Sequence, residues 1–173
     1  MIELRLTKIA MSAALALFAF LVTFNNITDY GSNFAFVQHV LSMDTTFPGN
    51  ALTWRAINSS TIWHVGYWLI IFGEALTCAA YAIGTMALTG KLRASGAAFN
   101  RGKRFVYVGT ALGFLVWFFG FMVVGGEWFA MWQSQTWNGQ PAAFRFYAAL
   151  LGAGIFIALE DRDLADTAGT NIG

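Results

Sequence analysis

Four long apolar blocks alternate with polar stretches along the chain. They run from about Ile9 to Phe24, Thr61 to Leu88, Phe105 to Gly126 and Ala142 to Leu159. About 20 helical residues cross a hydrocarbon layer of ~30 Å, so each block reads as one membrane helix. The second is longer than required, and tilting or projection beyond the bilayer is expected of it. The polar stretches are residues 25–60, 89–104 and 127–141, and a tail, 160–173, is expected to leave the membrane at once and to move freely. The pattern predicts an all-α membrane protein: a single domain, 1–173, built as a four-transmembrane-helix bundle.

The longest connection, 25–60, is too long for a structureless link. It carries its own apolar pieces and is expected to fold as an extracytoplasmic cap with short helices near Phe34–Leu41 and Ala51–Ile57. Ser42 or Asp44 would cap such a helix. The stretch Glu127–Trp137 alternates aromatic and polar residues and is expected to lie along the interface as a short amphipathic helix. Arg5 and Lys8 before the first block look like the start of a secretory signal. The block is long for one, and no small-x-small cleavage site precedes Asn25, so a retained helix is expected.

Composition strengthens the membrane reading. Hydrophobic residues make up 57% of the 173 residues and charged ones 11%, against roughly 45–50% and about 25% in soluble domains. The charge is clustered. Arg5, Lys8, Lys91, Arg93, Arg101, Lys103, Arg104 and Arg162 fall on one side, and only Arg55 and Arg145 on the other. The positive-inside rule then places both termini and the 89–104 loop in the cytoplasm. Trp54, Trp63, Trp68, Trp128, Trp132 and Trp137 gather near the opposite boundary, where an apolar ring with one N–H is at home. A net charge of +1 without a basic block gives no nucleic-acid partner. The single cysteine, Cys78, excludes an intramolecular disulfide.

Candidate chemistry is sparse. Walker, G-x-S-x-G and HExxH motifs are absent, which argues against a soluble-type enzyme. Glu74 is the one charged residue in the run Ile62–Leu88. A carboxyl at the bilayer centre costs about 2.5–3.5 kcal/mol on insertion scales. It therefore needs a partner, a proton or a role. Tyr67, Ile70, Thr77, Cys78 and Tyr81 share its helix face by spacing. The plain expectation is a protonated carboxyl bonded between helices. Proton exchange, or contact with a ligand or a partner subunit, is the functional alternative. No second charge is evident within the spans, which argues against a self-contained pump.

His39, Asp44 and His64 lie on the cap side and form a weak candidate metal set. With Tyr67 and Glu74, the two histidines form a candidate cofactor-binding set. Lipid or quinone is the open ligand class, and metal or haem is disfavoured. The plainer expectation is that each histidine orders the cap. Asp29 and Asp44, with Arg55, are expected to form ion pairs or caps inside the folded loop, and Glu127 is expected to pair with Arg145. Gly109, Gly113, Ala148 and Gly152 form small-xxx-small pairs. They would pack the third span on the fourth, or bind another subunit.

The strings Asn25-Asn26-Ile27-Thr28-Asp29-Tyr30-Gly31-Ser32-Asn33-Phe34 and Val37-Gln38-His39-Val40-Leu41-Ser42-Met43-Asp44-Thr45 go further. With Trp54-Arg55-Ala56-Ile57, His64, Tyr67 and Glu74, they resemble a family of predicted bacterial small integral membrane proteins of unknown function. The resemblance implies four spans, the inner membrane of a bacterium, and emphasis on the outer loop and second span. It supplies no activity. The expected function is a non-catalytic accessory subunit of a larger inner-membrane complex, such as a respiratory or photosynthetic one, with other integral subunits and lipids as partners. The alternative is a small-molecule site between the outer loop and the second span.

Overall fold

The structure is a computed structural model and describes residues 2–164. Helices α1 (Ile2–Thr28), α2 (Tyr30–Ser42), α3 (Ser60–Gly90), α4 (Gly96–Gly102), α5 (Arg104–Phe114) and α6 (Gln140–Ala158) carry the fold, and strands are absent among the described residues. Four stretches are long and apolar enough to span a membrane: Ile2–Thr28, Ser60–Gly90, Gly96–Trp128 and Gln140–Ala158. In hydrocarbon the backbone must satisfy its own hydrogen bonds, and a helix does so within one segment. Leu17, Phe20, Phe72 and Ile155 point outward, as lipid-facing residues do.

α3 is the central element, packed against α1, α2 and α5. Gly84 permits α3 a close approach to α5: a Cβ there would lie 2.9 Å from the Val106 backbone nitrogen. Hydroxyl pairs cross the same seams. Ser12 on α1 meets Thr85 at 2.8 Å, and Tyr81 meets Thr110 on α5 at 3.0 Å. The interior is filled by Trp117 against Phe18 and Phe146, with ring centroids 5.6 and 5.8 Å apart.

From Leu115 to Trp128 the third span widens into a π-helical segment of 14 residues. Such winding is rare and is found mostly as single turns at functional sites. Its last bond runs from Phe129 N to Val124 O, five residues back, at 3.0 Å. Ala130, at φ 52°, then turns the chain into a short 3₁₀ turn, Met131–Gln133.

Several expectations are corrected. The first span reaches from Ile2 to Thr28 and takes Arg5 and Lys8 inside it, both buried. The chain therefore does hold further buried charge. Lys8 Nζ and Lys103 Nζ each lie 2.6 Å from the same Asp161 oxygen, and Asp161 itself is 5% exposed. Arg5 donates to the carbonyls of Leu92, Ala94 and Arg162 and lies over the Phe99 ring. Residues 159–163 therefore strap the end of the bundle instead of leaving it. Asn100 holds Asp161 through both its amide and its carbonyl oxygen, and Gly96 N–H bonds Asp163. The remainder of the tail, 165–173, lies outside the described residues.

The cap is real but built differently. α2 spans Tyr30–Ser42, so Ser42 ends a helix, and Met43 at φ 53° closes it. Near Ala51–Ile57 only a 3₁₀ turn, Thr53–Arg55, forms. Asp44 binds His39, and Asp29 accepts from Ser32. Arg55 lies between the Trp54 and Trp128 rings, not on a carboxylate. Arg145 bonds its own helix at Pro141 O, and among the described residues no ion pair joins it to Glu127.

Ala148 and Gly152 face outward, and a Cβ at Gly152 would meet nothing within 4 Å. The fourth span instead turns Leu150 onto Gly113 and Gly154 onto Thr110, because the 3.6-residue period brings 150, 154 and 157 to the inner face. Gly109 lies beneath the Tyr81 ring of α3.

Candidate functional site

Glu74 lies in the bundle interior, 2% exposed. Its Oε2 accepts from Asn26 Nδ2 on α1 at 2.7 Å. Tyr67, seven residues earlier on the same face of α3, donates its hydroxyl to the Asn26 carbonyl at 3.0 Å. Asn26 is thus held at its backbone and its side chain by two residues of one helix. This tie also explains why α1 stays helical to Thr28: its last turn is fastened sideways to α3. The hydroxyls of Thr23 and Thr28 bond carbonyls four residues back, of Ala19 and Phe24, so they compete for no partner across the seam.

The trio borders a cavity of about 340 Å³. Asn25 and Asn33 line it at exposed positions, while Trp117, Phe121 and Phe146 form its apolar wall. Glu74 Oε1 takes part in none of the described hydrogen bonds and is left to this space. The cavity is therefore lined by a carboxyl group, three amide side chains and a phenol alongside apolar residues. Small-molecule sites combine these features: about 300–1,000 Å³, mostly apolar, with a few convergent polar groups.

Beyond the wall lies a second space, about 430 Å³, lined entirely by apolar residues and glycine. Phe36, Val37, Ile70 and Phe121 line both spaces. The two therefore adjoin. Phe36 on α2 and Phe121 in the π segment stack there, with centroids 5.8 Å apart.

The residues singled out in the sequence divide into three groups. Tyr67 and Glu74 meet in the polar cavity. His64 sits on the outer side of that helix, bonded to the Tyr30 hydroxyl at 2.8 Å and stacked on Phe34 at 4.2 Å. His39 binds Asp44 at 2.8 Å and stacks on Trp137 at 4.6 Å. The set His39, Asp44 and His64 is thus split in two, each histidine occupied by its own cap partners. Among the described residues no three His, Cys, Asp or Glu side chains converge as a metal site would need. His64 borders a groove with Val65, Trp68 and Phe72, and His39 borders a separate space with Met43 and Trp137.

Asn26, Asn33 and Trp117 were not legible as site residues. Asn25-Asn26 ends the first apolar block, where a polar pair reads as the start of a loop. The only hint was a buried carboxyl on the neighbouring helix in need of a donor at similar depth.

Comparison with curated proteins and with solved structures gave no match. One family model, described as "Predicted small integral membrane protein (DUF2165)", matches residues 4–160. That stretch takes in all four spans, the cap, Glu74 and its partners. The chain belongs to this family of small integral membrane proteins.

Proposed function

We propose that the protein binds a small hydrogen-bonding molecule inside the bundle, at Glu74, between α2 and the second span. The carrying observation is the 340 Å³ cavity that ends on a carboxyl with one oxygen uncommitted. Keeping an ionisable group at that depth is costly, and such residues mark ligand or ion sites in membranes. Lipid and quinone are the ligand classes that suit an apolar enclosure with a polar end. The Lys and Arg distribution supports a bacterial inner-membrane setting with the cap facing away from the cytoplasm. The site would then be reached from the outer side.

The test is extraction of the purified protein in lipid nanodiscs, followed by mass spectrometry. A stoichiometric molecule bound to the wild type and depleted in Glu74→Leu is expected. Equal recovery from both would refute the reading.

A second reading, an accessory subunit, is supported by the outward small-residue face at Ala148 and Gly152. Small residues let a second membrane helix approach closely. Purification in mild detergent tests it: a partner that co-purifies with the wild type and is lost from Gly152→Leu is expected. A chain that migrates alone would exclude it.

A further inference from the structure

We infer that the ligand is a single-chain amphiphile: a hydroxyl or amine head on Glu74 and an alkyl or isoprenoid tail in the adjoining apolar chamber. This rests on the reading of the Glu74 cavity as a ligand site and names the chemistry of its occupant.

Three observations carry it. The first is polarity. The Glu74 cavity is lined by that carboxyl and by Asn25, Asn26 and Asn33, whereas the 430 Å³ chamber has no polar side chain in its lining. A wholly polar ligand would leave the chamber unexplained, and a wholly apolar one would leave Glu74 Oε1 without a donor. A head carrying O–H or N–H removes that deficit, and its lone pair, where it has one, can accept from an asparagine amide.

The second is continuity. The two spaces share Phe36, Val37, Ile70 and Phe121 in their linings, and the stacked pair Phe36 and Phe121 belongs to both. Phe36 is half-buried on the short cap helix, so a rotamer change of its ring opens the wall without moving a span.

The third is access. Leu69 lines both the chamber and a groove on the outward face of α3, bordered by Val65, Trp68 and Phe72. The chamber thus adjoins the lipid-facing surface, and a tail can slide in from the bilayer. Lipid and chamber are equally apolar, so the tail gains little by the move. Selectivity then resides in the head, at Glu74.

Photolabelling in nanodiscs tests this. A long-chain primary amine and the matching alcohol would each carry a diazirine at the tail end. A head-only probe would carry the diazirine beside the same amine or hydroxyl. The expected result is tail-end label on Val40, Leu112 or Val116, and head-only label on Asn26, Tyr67 or Trp117. Tail-end label in the chamber should fall about tenfold or more in Glu74→Leu, the loss expected for one hydrogen bond to a charged or buried acceptor. Val124→Phe, which fills the chamber, should remove tail-end label and spare head-only label. Wild-type mapping needs no variant, so a misfolded mutant leaves the test intact.

Tail-end label confined to outward residues such as Leu17 and Phe20, with head-only label still at Glu74, overturns the amphiphile and leaves the site. Chamber label indifferent to Glu74→Leu in a folded protein also overturns it, because ordinary lipid would then fill the space. Absence of head-only label near Glu74 overturns both the amphiphile and the site.

Discussion

Glu74 matters because its hydrogen bond reaches across helices to a side chain that is itself fixed. Gln at this position keeps an acceptor for Asn26 and adds a donor. Glu74→Gln should therefore retain native stability to within about 1 kcal/mol, near the net worth of one hydrogen bond. Glu74→Leu removes the acceptor from the half-buried Asn26 amide and should cost about 1–3 kcal/mol. Reversible unfolding in mixed micelles would measure both; a Gln variant as unstable as the Leu variant would show that the carboxylate charge, and not the hydrogen bond, holds α1 to α3. The sequence placed Glu74 and Tyr67 on one helix face correctly, because a 3.6-residue period is local information. It left Asn26 in a loop, because which helix lies opposite, and at what depth, depends on packing across a seam that no period encodes.

At the scale of elements, the strap at residues 159–163 is the part least visible in the sequence. Lys and Arg beside a membrane span normally sit in water, and a polar tail normally leaves. Here Lys8 and Lys103 are fully buried, and both donate to the Asp161 carboxylate and to the first carbonyl of the strap, Leu159 O. Arg5 adds a third cation, met by carbonyls that follow α3. Exposed carbonyls at helix ends carry partial negative charge, so they complement the excess of cations. The stoichiometry makes the removals unequal. Asp161→Asn leaves two buried ammonium groups without their anion and should cost about 3–5 kcal/mol, the usual penalty for breaking a buried pair. Lys8→Met leaves Lys103 and Asp161 as a matched pair and should cost much less. Burial alone would raise the Asp161 carboxyl, but hydrogen bonds and charge from Lys103 and Lys8 outweigh it and hold the group below its ordinary value. A depressed carboxyl contributes stability that is complete above its unfolded value of about 3.9 and is lost as pH falls below that, through the folded value. Thermal unfolding followed against pH should show this loss in the wild type and not in Asp161→Asn.

For the whole molecule, the count of four spans was legible from apolar length alone, since a bilayer imposes one thickness on every helix that crosses it. The interior was not. Two cavities, a widened third span and a buried ionic strap all depend on side chains from distant parts of the chain meeting at one depth. What those features do depends in turn on which way the bundle faces. The eight basic residues at the strap end and the two at the cap end predict that the Glu74 cavity is reached from outside the cytoplasm. The buried state of Lys8, Arg5 and Lys103 complicates that count, because a cation satisfied inside the fold is a weaker topological signal than one in water. Lys91, Arg93, Arg101, Arg104 and Arg162 remain at half-buried or exposed positions and still outnumber Arg55 and Arg145. The bias therefore survives the folding of the strap. In a Cys78→Ala background, Asn58→Cys places a thiol at an exposed cap position, and Ala97→Cys places one at an exposed position on α4. A membrane-impermeant maleimide applied to intact cells or spheroplasts should label Asn58→Cys and reach Ala97→Cys only after lysis. The opposite pattern would turn the bundle over and present the Glu74 cavity to the cytoplasm, so that its ligand would have to come from the inner leaflet or the cell interior.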